Sequence, residues 1–104
     1  QDAGGQLGDR SFNKVMMSYI DRPENLKLVM NLLRHDSWAI RAEAFQVFKV
    51  FAGNPNKKDE VRRILHSNKP RLLQYLSKAR GSEDGSVPRL AADEDLDQVT
   101  RDIS

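Results

Sequence analysis

Few residues in this chain have the types and spacing that chemistry requires, and most of those fail on inspection. His35 and His66 are the only histidines. They fall in different helical hairpins, each at a turn among charges, so both read as solvated turn residues rather than general bases. The serines sit at turns and caps, with no strand-to-helix elbow to present a nucleophile. The GQLG stretch near the start is too short and misplaced to cradle a phosphate. Asp93, Asp95 and Asp97 imitate the opening of an EF-hand loop. The sixth position is then Gln98 rather than Gly, and the twelfth is Ser104 rather than a bidentate Glu, so calcium fails on geometry. With no cysteine, disulfide frameworks and thiolate zinc sites are excluded. The expectation is a protein that is not an enzyme and carries no cofactor or metal.

Binding chemistry is better represented. Lys27, Met30, Asn31 and Arg34 follow i, i+3, i+4 and i+7 spacing, so they share one helix face. Methionine adapts its thioether to aromatic side chains, and the flanking cations can receive carboxylates. Such a face suits a short peptide that is both aromatic and acidic. By spacing alone, Met30 can equally be half-buried filler between cations that merely solvate the helix. A second candidate is basic: Lys57, Lys58, Arg62, Arg63, Lys69 and Arg71 cluster around one short helix and could track phosphates. Aromatic stacking platforms are missing there. A basic helical-repeat domain that binds nucleic acid is therefore the runner-up reading.

The charge is unevenly placed. Residues 1–80 hold 15 Lys and Arg against 8 Asp and Glu, a net +7; residues 81–104 hold 2 against 7, a net −5. A basic body with an acidic tail is compatible with a nucleic-acid binder that shields itself, and also with a solvated helical surface followed by a disordered tail. No apolar run approaches the roughly 18 residues of a membrane span, and QDAGGQLGDR is too polar for a signal peptide. The expected setting is cytoplasmic. The chain lacks an initiator Met and opens abruptly, as the back end of a longer protein would.

The elements that must carry these residues are all helical. Gln1 to Gly8 is Gly-rich and expected to fray. Asp9 or Ser11 can cap a first helix with Phe12, Val15, Met16, Tyr19 and Ile20 at helical spacing. Pro23 suits the first turn of a second helix that runs to about Arg34, and Asp21 with Glu24 resembles a capping box. In that helix Leu26, Val29 and Leu33 form one core stripe, and Leu28 with Leu32 a second stripe against another neighbour. After the His35-Asp36-Ser37 turn comes a helix from Trp38 to Phe51, apolar on nearly every side and therefore to be enclosed by neighbours. Gly53 would end it in a left-handed cap, with Pro55 beyond. A fourth helix spans about Lys58 to His66. Pro70 opens a fifth with Leu72, Leu73, Tyr75 and Leu76. Residues 81–89 read as linker, and Leu90 to Ile103 as tail or terminal helix, with Leu96 and Val99 as the apolar face of such a helix.

Short helices, short turns and one enclosed helix give an all-α fold of the armadillo/HEAT-like helical-repeat type, an α-solenoid fragment. The expected organisation is a frayed segment 1–8, helical repeats over 9–80 and an acidic linker or tail over 81–104.

Two stretches make the sequence less anonymous. PENLKLVMNLLR, followed by EAFQVFKVFAGNPNK, closely resembles the last repeats of the calcium-binding protein 39 family, also called morula protein 25, or HymA in fungi. The similarity starts at Asp9-Arg10 and persists weakly in PRLLQYLSK. The resemblance implies a non-catalytic armadillo-like scaffold that binds sterile-20-type kinases and pseudokinases and holds them in active conformations. Such assemblies include a kinase of the liver-kinase-B type. It further implies that Lys27 and Met30 help receive a carboxy-terminal Trp-Glu-Phe motif, with Arg34 one turn on as an extension.

The family also has Asp-Arg-x-Asn-Phe on a surface that meets the kinase. Here Asp9-Arg10-Ser11-Phe12-Asn13 exchanges the last two. Arg10 carries over directly, while Phe12 is displaced by about 100° around the helix. Two more departures stand out. Residues 1–8 carry Gly where the family has an apolar helix, and Ser37-Trp38-Ala39 replaces a polar, charged helix start. Trp38 is so placed that it could stack on a neighbour or crowd the site.

Overall fold

The computed structural model describes residues 3–104, with side chains described from Ser11 onward. Six helices follow in order: α1 (Ala3–Ile20), α2 (Pro23–Leu32), α3 (Trp38–Gly53), α4 (Asp59–Ser67), α5 (Lys69–Lys78) and α6 (Asp93–Ile103). No strand occurs among the described residues. The all-α helical-repeat expectation is met.

The first helix begins earlier than expected. Its backbone is helical from Ala3, inside the segment expected to fray, so neither Asp9 nor Ser11 is its cap. Glycine weakens a helix by about 1 kcal/mol per residue relative to alanine without forbidding helical dihedrals, so the Gly-rich start does not by itself set the boundary.

The junction between α1 and α2 is held differently from a capping box. The cap position is Arg22, in extended conformation and without a side-chain cap. Glu24 instead accepts from the Arg22 guanidinium at 3.4 Å, and the Asn25 amide donates to the Tyr19 carbonyl at 2.9 Å. Ser37 does cap α3, its hydroxyl accepting from the Ile40 amide at 3.4 Å. Gly53 is not a left-handed cap. It lies within the helix, which ends at an extended Asn54. Pro55 accounts for this, because a proline disfavours the helical region for the residue before it.

The core runs through all the helices. Ile20, Leu26, Val29, Leu33, Phe45, Phe48, Phe51, Val61, Leu65, Leu72, Leu76, Leu96 and Val99 are buried in one cluster. Tyr19 meets Phe51 edge to face at 6.0 Å, fastening α1 to α3. Enclosure of α3 is restricted to its later turns: Ala44, Phe45, Phe48, Phe51 and Ala52 are buried, while Trp38 and Ile40 in its first turn stay exposed. Leu28 is also exposed, so the second stripe expected on α2 has no cover there among the described residues.

The acidic tail folds back. Leu90 is buried and its amide donates to the Ala79 carbonyl at 2.8 Å. From there α6 lays Leu96, Val99 and Ile103 against α3 and α5. Ion pairs follow: Arg80 with Asp93 and Asp97, and Lys49 with Asp95 at 3.5 Å.

Candidate functional site

The Lys27 face of α2 does not look into open solvent. It forms one wall of a groove of about 490 Å³ whose other walls are the end of α4 and the start of α5. Lys27, Met30, Asn31 and Arg34 come from the α2 side. Arg63, Ile64, Ser67 and Asn68 come from α4 and its junction with α5, and Arg71, Leu72 and Tyr75 from α5. Each set recurs at helical spacing, which is why three separate segments can each present a continuous edge.

The floor is apolar and the rim cationic. Leu33 and Leu72 are buried, and Met30, Ile64 and Tyr75 are half-buried against the core. Lys27, Arg34, Arg63 and Arg71 are exposed at the rim, and no carboxylate lines the groove. Arg34 donates to the Asn31 amide oxygen at 2.9 Å, which aims the guanidinium along the wall without neutralising it. Asn68 donates to the Ile64 carbonyl at 2.8 Å and so closes the last turn of α4.

Across the groove, the Tyr75 hydroxyl donates to the Leu33 carbonyl at 2.6 Å. That carbonyl lies just past the end of α2, where no intrahelical donor is due, so the phenol satisfies it and ties α5 to α2. Burial pushes the Tyr75 phenol above the usual tyrosine range, with the Arg41 charge opposing it.

Lys27, Met30 and Arg34 are therefore brought together at one groove wall. Phe12 is elsewhere, on α1 and 63% exposed, with no part in the groove lining. The Arg10 side chain lies outside the described residues. Trp38 is exposed and does not crowd the groove.

The basic cluster around α4 is divided by its local bonds. Arg62 pairs with Asp59 at 3.1 Å and donates to the Lys57 carbonyl. Lys57 donates to the carbonyl of the buried Asn54 at 2.8 Å. Burial draws its pKa down, with Asp102 pulling it up. Arg63 and Arg71 turn into the groove instead. Of the six cations, two are thus engaged by local bonds and two line the groove.

The remaining candidates are the acidic triplet of α6 and the two histidines. Asp93, Asp95 and Asp97 stand in the first turns of α6, where alternate residues point about 200° apart and cannot wrap one ion. Each is already engaged by Arg80 or Lys49. His35 accepts from the Ser37 amide at 2.9 Å, and His66 lies exposed in the last turn of α4.

Residues 5–94 match the family model described as Mo25-like. The conidiophore development protein hymA of Emericella nidulans is 51% identical over 75 residues, covering 72% of this chain and 20% of that protein. The calcium-binding protein 39-like protein of Mus musculus is 51% identical over 74 residues, covering 71% and 22%. A putative MO25-like protein of Arabidopsis thaliana is 39% identical over 101 residues, covering 97% and 28%. The chain thus spans 20% to 28% of the length of these relatives.

Proposed function

The chain belongs to the Mo25-like family, and from that membership together with the chemistry of the groove we propose that it is a non-enzymatic docking scaffold for kinase-like proteins. The observation that carries the proposal is the pairing of an apolar floor around Met30 with a rim of Lys27 and Arg34. Aromatic side chains gain by leaving water for the floor, and carboxylates gain charge-assisted hydrogen bonds at the rim. A carboxy-terminal peptide of the Trp-Glu-Phe type supplies both.

The partner is a sterile-20-type kinase or pseudokinase, in assemblies that also hold a liver-kinase-B-type kinase. Capture of its tail raises the effective concentration of a second, larger contact on the kinase body. A scaffold that binds the active conformer better then shifts the kinase toward it. Arg10 and Phe12 on α1 are assigned to that larger contact, and the exposure of Phe12 supports an open face there. The setting is cytoplasmic; no helix among the described residues is long and apolar enough to cross a membrane.

The test is fluorescence anisotropy with a labelled peptide ending in Trp-Glu-Phe, against the same peptide with both aromatics changed to Ala. Saturable binding of the first alone supports the reading. No binding by a protein that circular dichroism finds folded sinks it. Nucleic-acid binding, the alternative, is disfavoured by the division of the α4 cations described above. A salt titration separates the two, since phosphate binding collapses steeply with salt.

A further inference from the structure

Resting on the peptide-docking reading, we infer that the segment received by the groove is phosphorylated on a serine or threonine just before its aromatic anchor, and that Arg63 and Arg71 read the phosphate. The argument is one of charge complementarity. Four cations converge on the groove from α2 and the turn after it, from α4 and from α5, and no carboxylate lines it. None of the four has an ion-pair partner among the described residues. A peptide ending in Trp-Glu-Phe brings two negative charges, its glutamate and its terminal carboxylate. Lys27 and Arg34 on the α2 wall are enough for those. Arg63 and Arg71, on the opposite walls, are left over.

Like charges gathered without counter-charge repel one another, so a groove that keeps two spare arginines gains most from a ligand with more charge. A phosphate monoester supplies about −1.5 to −2 charges and three acceptor oxygens on one side chain. Two guanidinium forks on separate helices can share those oxygens, which a single carboxylate with two oxygens does less well. Ser67 and Asn68, between the two arginines in sequence and also in the lining, add neutral polar groups at that end. Because the terminal carboxylate ends the peptide, the added charge must lie on the amino-terminal side of the tryptophan. Docking would then be strengthened by a kinase acting on the partner's tail.

The experiment uses the 104-residue chain and four labelled peptides ending in Trp-Glu-Phe. Three carry phosphoserine one, two or three residues before the tryptophan, and the fourth carries serine throughout. At least one phosphopeptide should bind roughly tenfold tighter than the serine peptide. In R63Q and R71Q the ratio of the two dissociation constants should fall toward one; both positions are exposed, and circular dichroism checks the fold. The inference is overturned if every phosphopeptide stays within about twofold of the serine peptide, or if the ratio survives both substitutions. It is also overturned if two glutamates in place of the phosphoserine give the same gain, which would assign the arginines to an acidic flank. If the serine peptide itself fails to bind, the docking reading fails and takes this inference with it.

Discussion

Met30 and Tyr75 mark two kinds of legibility. The face formed by Lys27, Met30, Asn31 and Arg34 could be read from helical spacing, because the first three lie on α2 and Arg34 in the turn that directly continues it. Its opposite wall could not. Arg71, Leu72 and Tyr75 read as part of an ordinary amphipathic helix, and nothing in their spacing says that Tyr75 reaches the Leu33 carbonyl 42 residues away. Met30→Ala should weaken the aromatic peptide by about 30-fold, on the order of 2 kcal/mol, as truncation of a central anchor does; anisotropy titration of the variant measures it. Tyr75 gives a prediction in pH. Its phenol is held above the usual range in the folded state, so its contribution to stability is complete below the unfolded value of about 10. That contribution is lost as pH rises through the higher folded value, because the unfolded chain gives up the proton first. Urea midpoints should fall across that alkaline window in the native chain, and less so in Tyr75→Phe.

At the scale of elements, the link from α5 to α6 shows how a polar stretch is given a shape. Gly81 and Gly85 both have positive φ. Between them Asp84 accepts from the Ser82 hydroxyl at 2.7 Å and from the Ser86 amide at 3.0 Å. These bonds hold its carboxyl down at about 2. The loop is thereby bent so that Leu90 enters the core beside Ala79. A Cβ at Gly81 would sit 2.6 Å from the Val87 carbonyl oxygen, at a φ of +79° that side chains rarely adopt. Gly81→Ala should therefore cost about 1–3 kcal/mol, seen as a lower urea midpoint. At Gly85 the φ is similar but nothing lies within 4 Å of the added carbon, so Gly85→Ala should cost less. The order of the two variants is the check. On α6 itself, Leu96 is fully buried, and Leu96→Ala should cost roughly 2–5 kcal/mol. A large share of the stability of so small a domain is at stake there, and circular dichroism thermal melts will report it.

The molecule as a whole is open rather than spherical. Its radius of gyration is 14.9 Å, against about 13 Å for a compact domain of this length, as layered helical pairs would give. The acidic end of the chain lies against the basic body through Arg80 and Lys49, so the unequal charge halves meet within one molecule. Surface ion pairs of this kind each contribute little. The apolar residues Leu96, Val99 and Ile103 hold α6 against α3 and α5. Removal of residues 92–104 should bare the face of α3 that these residues cover and drive self-association. Sedimentation velocity decides the matter: a truncated chain that stays monomeric and helical would mean that α6 covers nothing the rest of the fold needs.

Helix number and type were legible because 3.6-residue apolar periodicity and Pro punctuation are local, so α2, α3, α4 and α5 were readable within a few residues. The same locality revealed the Lys27–Met30–Arg34 face and, through PENLKLVMNLLR and EAFQVFKVFAGNPNK, the family. Tertiary structure alone decided three further matters. It determined that α3 is enclosed only along its later turns, because enclosure depends on where α2 and α6 lie. It determined that the tail is a packed helix, since three apolar residues in an acidic stretch look meagre until a bare face of α3 receives them. And it determined that Arg63 and Arg71 line the same groove as Lys27 and Arg34. Their partners across the groove lie 29 to 44 positions earlier in the chain, a separation that no local pattern encodes.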